Sequence, residues 1–239
     1  MIKRLFIGFA ALLGVVLLGG GGYAVYFYYN QPRAEFWQSA ITAFEQEDRQ
    51  NPPALGAILF IGSSTIVFWK SLAADMAPMR VLNRGFGGAN LSHLTHYADR
   101  IVFPYHPQAI VIYAGDNDFG GPRPKTAKEV FTAFRDLTDL ITQALPETPV
   151  YYIAIKPSLL RWKAWPQMNT ANHLITEYAA TRTSLHFIDI SPAMLGADGR
   201  PRKKLFRFDG LHLNQGGYAL WTSIIKPILL KHYAGSLST

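Results

Sequence analysis

Short runs of apolar residues alternate along the chain with longer stretches in which apolar and polar positions are mixed. A continuous apolar run between turn residues is typical of a strand that is buried on both faces of a sheet. Five such runs predict strands, at residues 57–61, 81–82, 109–114, 150–155 and 185–188.

Apolar positions at helical spacing lie before the first strand and around the later ones. Residues three or four apart share one face of a helix, so each set predicts a helix that packs against the sheet. The sets are Phe36, Trp37, Ile41 and Phe44; Val130, Phe134, Leu137, Ile141 and Leu145; Ala171, Leu174, Ile175 and Tyr178; and Leu220, Ile224, Ile228 and Leu229 in a last helix over 217–233.

The alternation of apolar strands with amphipathic helices favours a parallel sheet covered by helices on both faces. The chain has 239 residues, which is enough for one domain with a substantial core. We therefore predict an α/β fold over residues 32–239, a three-layer α/β/α sandwich around a five-stranded parallel, flavodoxin-like sheet.

The beginning of the chain has a different pattern, because Lys3 and Arg4 precede an uncharged stretch over 5–29. At about 1.5 Å per residue, a helix of this length crosses a bilayer core of roughly 30 Å. No A-x-A-like site follows, so an N-terminal transmembrane anchor over 1–31 is favoured over a cleaved signal peptide. The two cations orient such an anchor, so we expect a single-pass protein of the inner (cytoplasmic) membrane with residues 32–239 on the periplasmic, or extracytoplasmic, side.

The composition narrows the possible chemistry. The chain has no cysteine, which excludes disulfides, a cysteine nucleophile and cysteine-based metal sites. Its formal net charge of +7 is a modest cationic excess, and no zinc-finger pattern or RNA-binding aromatic motif accompanies it. We therefore expect no nucleic-acid partner.

Four polar stretches follow predicted strands or precede the last helix: GSST at 62–65, NRGFGGAN at 83–90, GDND at 115–118 and DGLH at 209–212. The first three leave the carboxyl ends of parallel strands, where α/β proteins bind their ligands. Ser64 is a candidate nucleophile, His212 a candidate base, and Asp209 a candidate for orienting the imidazole. A backbone N–H of the glycine-rich turn and the Asn117 amide are candidate donors to an oxyanion.

Together and in this order, the four stretches resemble the blocks that define the SGNH (GDSL-type) hydrolase superfamily. The resemblance implies that Ser64 is the nucleophile, with His212 as base and Asp209 as the orienting acid. It also implies an oxyanion hole formed by Ser64, Gly88 and Asn117. The implied activity is that of a lysophospholipase- or esterase-like serine hydrolase that acts on carboxylic esters without cofactor or metal.

One position departs from the family pattern, since the first block usually has aspartate where this chain has Ser63. That position has none of the four named roles, so the change bears on local hydrogen bonding and substrate choice. The expected substrates are small esters, lysolipids or acylated glycans. Two alternatives remain open on the same fold: a deacetylase of O-acetylated envelope polysaccharide, and a non-catalytic binding module.

Three further features give weaker indications. His93 and His96 have the H-x-x-H spacing of some metal sites, but no third ligand is evident, so ordinary core or surface histidines are favoured. The basic run at 200–207 is either a solvated loop or a cationic rim for an anionic headgroup or polymer. Trp162 and Trp165 either line a substrate pocket or cover the edge of the sheet.

Overall fold

The computed structural model describes residues 33–233, together with Tyr26, Tyr29 and Asn30. The anchor predicted over 1–31 lies almost entirely outside the described residues and stays a prediction. Among the residues that are described, no helix combines the length and the apolar character that crossing a bilayer requires.

A sheet of five strands forms the centre of the molecule, in the order β2-β1-β3-β4-β5. Every neighbouring pair is parallel, so the predicted five-stranded parallel sheet is confirmed. The strands are β1 Ile58–Gly62, β2 Val81–Gly85, β3 Ala109–Tyr113, β4 Val150–Ile153 and β5 Leu185–Ile188.

Helices cover both faces of this sheet. In chain order they are α1 Gln38–Gln50, α2 Ser64–Val67, α3 Leu72–Met76, α4 Leu91–His96, α5 Ala98–Ile101, α6 Ala127–Ala144, α7 Trp165–Ala180, α8 Ser191–Met194 and α9 Gln215–Tyr233. Short 3₁₀ segments occur at Ala34–Trp37, Phe103–Tyr105, Trp162–Ala164 and Lys203–Leu205. One layer contains α1, α4, α5, α6 and α7, and the other contains α2, α3, α8 and α9.

The alternation of side chains along β1 explains the two layers. Ile58 and Phe60 lie in the core on one face of the sheet, whereas Leu59 and Ile61 lie in the core on the other. The four predicted amphipathic helices correspond to α1, α6, α7 and α9. The short helices α2 to α5 and α8 were not predicted, because one or two turns are too few to show a helical period.

The largest departure from the predicted strands is in β2, whose apolar run covers only 81–82. The strand continues through Asn83 and Arg84, because it pairs with β1 as far as Gly85. The Arg84 side chain is buried, donates from Nε to the Tyr105 hydroxyl at 2.8 Å, and pairs with Asp48 of α1. The covering helix α1 and the 3₁₀ segment at Phe103–Tyr105 thus supply the partners that allow an edge strand to bury a charged residue.

Candidate active site

The GSST stretch forms a tight turn from strand β1 to helix α2. Gly62 has a φ of +145°, and a β-carbon there would lie 1.9 Å from the Tyr113 carbonyl oxygen, so only glycine fits. Ser64 follows as the first residue of α2, and its side chain is partly exposed. Ser63 and Thr65 are 0% and 1% exposed, which leaves Ser64 as the hydroxyl of this turn that a substrate can reach.

The DGLH loop before α9 brings an acid and an imidazole to this serine. Ser64 Oγ lies 2.9 Å from His212 Nε2, and His212 Nδ1 lies 2.7 Å from Asp209 Oδ2. The second carboxylate oxygen of Asp209 accepts the backbone N–H groups of Leu211 and His212, each at 2.9 Å. Three of the residues singled out in the sequence therefore form one continuous hydrogen-bonded chain.

The charge of Asp209 determines the direction of these hydrogen bonds. Burial raises the pKa of this carboxyl, but the bond from His212 and the two backbone donors outweigh that effect and lower the pKa to about 2. An ionised carboxylate only accepts hydrogen bonds, so His212 Nδ1 must carry a proton. In the neutral ring Nε2 is then the acceptor for the Ser64 hydroxyl.

Phe68 and Arg207 pack around His212. Phe68 meets the imidazole edge to face at a centroid distance of 4.9 Å, and the Arg207 guanidinium lies 4.8 Å over the Phe68 ring. The backbone N–H of Arg207 also donates to the His212 carbonyl oxygen at 2.8 Å. The end of the basic run over 200–207 is therefore built into the support of the histidine.

The turns after β2 and β3 meet at Asn117. Its Nδ2 donates at 2.9 Å to the carbonyl oxygen of Ala89, which follows Gly88 in a turn where Gly88 has a φ of +79°. One amide hydrogen remains for a second acceptor. Arg161 Nη2 donates to Asn117 Oδ1 at 2.8 Å, and because a guanidinium only donates, this contact identifies the oxygen end of the amide.

These turns lie where ligands are expected in an open parallel sheet. The strand order reverses between β1 and β3, so the loops that follow these two strands enclose a crevice at the carboxyl edge of the sheet. Ser64 comes from the first loop and Asn117 from the second, while Gly88 lies in the turn after β2. The structure thus gathers all five predicted site residues at this one edge, which we call the carboxyl edge.

A buried charged cluster, which was not predicted from the sequence, lies at the same edge. Lys156 Nζ is 3.0 Å from Asp116 Oδ2 and donates to the hydroxyls of Tyr113 and Thr65 at 2.8 and 3.2 Å. Arg161 Nη1 lies 3.1 Å from the same oxygen of Asp116. Arg161 therefore links this cluster to the amide of the candidate oxyanion residue.

The charges in this cluster stabilise each other against burial. Burial alone raises the pKa of Asp116, but Lys156 and Arg161 lower it to about 2. Burial lowers the pKa of Lys156, and Asp116 opposes that shift. A sequence signal did exist, because Lys156 and Arg161 follow β4 and Asp116 lies in the GDND stretch after β3. Parallel strands bring those two loops to one edge.

The other indicated residues have structural contacts of their own. His93 is buried, and its Nδ1 accepts the Asn90 backbone N–H at 3.3 Å, which caps α4. Within the described ranges, no cluster of three or more His, Asp or Glu side chains is arranged to hold a metal ion. Ser63 Oγ is buried and makes no hydrogen bond to any described residue. Trp162 and Trp165 are partly exposed and stack on each other at a centroid distance of 6.2 Å.

A parallel α/β sandwich that joins a serine, a histidine and an aspartate at its carboxyl edge has the architecture of a hydrolase. The model of the GDSL-like Lipase/Acylhydrolase family matches residues 62–220. The chain therefore belongs to this family of ester-hydrolysing enzymes, and the resemblance seen in the four sequence blocks is confirmed. No curated protein matches the chain significantly.

Solved structures share the fold at low sequence identity. A Streptococcus pneumonia protein described provisionally as a platelet activating factor has 20% identity and a TM-score of 0.71, covering 80% of this chain and 92% of that one. A GDSL-like lipase from Bacteroides thetaiotaomicron has 17% identity and a TM-score of 0.67, covering 80% and 98%. A carbohydrate esterase of family 3 from Talaromyces cellulolyticus has 15% identity and a TM-score of 0.58, covering 76% and 99%.

Proposed function

We propose that the protein hydrolyses carboxylic esters with Ser64 as the nucleophile. The observation that carries the proposal is the hydrogen-bonded chain from Ser64 Oγ through His212 to Asp209. As Oγ attacks the ester carbonyl carbon, its proton passes to His212 Nε2, and the ionised Asp209 offsets the charge of the imidazolium. His212 then gives this proton to the leaving alcohol, and an acyl group remains on Ser64.

The second half of the reaction uses the same groups. Water attacks the acyl carbonyl while His212 takes its proton, and the acid is released as the proton returns to Ser64. Negative charge develops on the carbonyl oxygen in both halves. The backbone N–H groups of Ser64 and Gly88 and the free hydrogen of the Asn117 amide are the proposed donors to it. Ser64 begins α2, so its N–H has no acceptor within that helix.

A fluorophosphonate probe tests the nucleophile directly, because it labels only a serine that is activated by a neighbouring base. We expect labelling of the wild-type protein and of Ser63→Ala, and none of Ser64→Ala. Hydrolysis of a short-chain ester should follow the same order. If labelling survives in Ser64→Ala but is lost in folded Ser63→Ala, the nucleophile is Ser63 and the proposed assignment is wrong.

We also propose that the enzyme is tethered to the membrane through residues 1–31, with the enzymatic domain exported. Lys3, Arg4 and the uncharged stretch over 5–29 support this proposal. A reporter that is active only outside the cytoplasm, fused after Arg33, should be active and should sediment with membranes. A shortened, soluble product would indicate a cleaved signal peptide.

A deacetylase of O-acetylated envelope polysaccharide is the second candidate for the same chemistry. The stacked, partly exposed rings of Trp162 and Trp165 favour it, because flat aromatic faces suit the apolar faces of sugar rings. Release of acetate from acetylated polysaccharide, compared with hydrolysis of lysolipids of increasing acyl length, separates the two candidates. Substituting both tryptophans by alanine should weaken activity on the polysaccharide alone if this candidate is correct.

A further inference from the structure

Two large apolar side chains project into solvent beside the loop that carries Asp209 and His212. Phe208 is 104% exposed and Leu160 is 64% exposed. Their loops are joined, because the Leu160 N–H donates to the Gly210 carbonyl oxygen at 3.0 Å. A single exposed apolar residue needs no explanation, but a pair held next to a substrate cleft indicates a contact surface.

Cations lie close to this apolar pair along the chain. Lys163, Lys203 and Lys204 are exposed, and the two segments over 156–166 and 199–208 contain no aspartate or glutamate. We call Leu160, Phe208 and these three lysines the rim. Apolar side chains flanked by lysines, with no acidic residue between them, match the chemistry of an anionic lipid surface.

The described chain begins at the same edge of the molecule. Tyr29 and Arg33 line a cavity of about 580 Å³ together with Asn117 and Gly120, which follow β3. Tyr29, the last residue of the uncharged stretch over 5–29, therefore lies at the carboxyl edge. A bilayer that holds this stretch would lie against the carboxyl edge and not against the opposite edge of the sheet.

We propose that the rim docks the carboxyl edge onto an anionic lipid bilayer, and that Ser64 cleaves esters of lipids at that surface. The substrate half of this statement rests on the proposed esterase function, whereas the docking half does not. On docking, the side chains of Phe208 and Leu160 move from water into the boundary between headgroups and acyl chains, and the lysines face anionic headgroups. A polysaccharide would account for the flat rings of Trp162, Trp165 and Phe208 but not for the exposed Leu160, which offers neither a flat face nor a hydrogen bond to a sugar.

The absence of cysteine from the chain permits a site-specific test. The full-length protein carrying Phe208→Cys is labelled with an environment-sensitive fluorophore and incorporated into vesicles that contain a nitroxide-labelled lipid as quencher. Leu55→Cys is the matched control, because Leu55 is 71% exposed and precedes β1 at the opposite edge of the sheet. Insertion of the N-terminal stretch is common to both variants, so only docking of the rim distinguishes them.

We expect at least threefold stronger quenching at position 208 than at position 55 in vesicles rich in phosphatidylglycerol, and a smaller difference in purely zwitterionic vesicles. In the labelled Phe208→Cys protein, Lys203→Gln with Lys204→Gln should abolish the dependence on anionic lipid. Equal quenching at the two positions would overturn the docking proposal. The docking proposal would also be overturned if the fluorophore at position 208 became buried on adding a soluble acidic polysaccharide but did not respond to vesicles. That result would favour a polymer as the partner.

A second measurement tests the substrate half. Phe208→Ser should lower the hydrolysis of a lysophospholipid presented in anionic vesicles about tenfold, while kcat/KM for a water-soluble short-chain ester stays within twofold of wild type. Equal loss on both substrates would show that Phe208 supports the fold or the site and not docking. If no ester is cleaved at all, the esterase proposal fails, and the quenching measurement still decides whether the rim docks.

Discussion

Two groups of ionisable side chains share the carboxyl edge, and they differ in their access to water. The side chains of Asp209 and His212 are 30% and 21% exposed, whereas those of Asp116 and Lys156 are 5% and 0% exposed. Both groups contain a carboxylate whose pKa is lowered to about 2. Backbone N–H groups and an imidazole lower the pKa at the open site, while Lys156 and Arg161 lower it at the buried one.

The difference corresponds to two different tasks. In the proposed reaction a proton must reach and leave His212 in every turnover, so its partners leave the ring open to substrate and water. No proton has to move through the buried cluster. Its charges do not change during the reaction. Arg161, which is held by Asp116, in turn holds the Asn117 amide by a hydrogen bond. The open group therefore exchanges a proton in each turnover of the proposed reaction, whereas the buried group keeps the same charges throughout that reaction.

The open group should show the largest effect on turnover. We expect His212→Ala to lower kcat by roughly a millionfold and Asp209→Ala by roughly ten-thousandfold, as for comparable sites in other serine hydrolases. His212 moves the proton, whereas Asp209 orients the ring, and water can replace an orienting group in part. Steady-state kinetics and melting temperature on the same preparations check this order. Equal losses in two folded variants would show that the aspartate is as essential as the base.

The buried group should show its largest effect on stability. Asp116→Asn leaves Lys156 buried without its counter-charge, so we expect the free energy of unfolding to fall by about 3–5 kcal/mol. The matched control is Asp136→Asn, because Asp136 pairs with Arg135 on the surface at 3.7 Å and its side chain is 57% exposed. The control should change stability by less than about 1 kcal/mol. Urea denaturation of both variants measures the difference.

The pH dependence of that stability has a definite sign. The pKa of Asp116 falls from an ordinary 3.8 to about 2 in the folded protein, so the unfolded chain binds more protons between these values. The contribution of Asp116 is therefore fully present above pH 3.8 and is lost as the pH falls toward 2. The stability difference between wild type and Asp116→Asn should shrink over this window. A difference that is independent of pH there would contradict the assigned charge.

Sequence patterns predicted the architecture because burial on both faces makes a strand apolar throughout, as in β1 and β3. They also placed candidate residues as distant as Ser64 and His212, which are 148 positions apart, at one edge, because strand ends converge there in a parallel sheet. Arg84 shows the limit of such patterns. It continues β2 because backbone pairing and Asp48 compensate for its charge, and no local period shows this.

The pairing of side chains within the buried cluster lay beyond prediction for a related reason. The contact of Arg161 with Asn117 depends on the path of the loop between β4 and α7, which contains no repeating pattern. Lys156 is a charged residue in an apolar context, and sequence alone does not say whether it turns outward or finds a buried carboxylate. Residue types and topology located the edge, but only side-chain geometry shows which cation holds which partner.

Asn117 is joined to the buried group through Arg161, and its removal tests the proposed oxyanion hole. We expect Asn117→Ala to lower kcat about a hundred- to a thousandfold with KM nearly constant, because the donated hydrogen bond strengthens only as charge develops on the carbonyl oxygen. Slow labelling of Ser64 by a fluorophosphonate should survive. If the residue only shapes the turn after β3, the melting temperature should fall together with activity. A stable variant with near-normal kcat would remove Asn117 from the proposed mechanism.

Arg161 should show the smallest effect, and it tests whether the buried group acts through Asn117. Arg161→Gln removes the guanidinium donor to Asn117 Oδ1, so the amide keeps only its contact with the Ala89 carbonyl oxygen to orient it toward the substrate. The loss of a charged hydrogen bond that positions a donor should lower kcat about tenfold, or about 1.4 kcal/mol, with little change in KM. Arg135→Gln, which removes a 45% exposed arginine of α6, is the matched control and should leave kcat unchanged.

A double-mutant cycle distinguishes positioning by Arg161 from a general loss of structure. If Arg161 acts through Asn117, then Arg161→Gln should have almost no further effect on kcat in the Asn117→Ala background. Its effect on unfolding should persist there, because the contact with Asp116 at 3.1 Å does not involve the amide. Additive losses of kcat would mean that Arg161 influences the reaction independently of Asn117. The inference that the buried cluster positions the oxyanion hole would then be wrong.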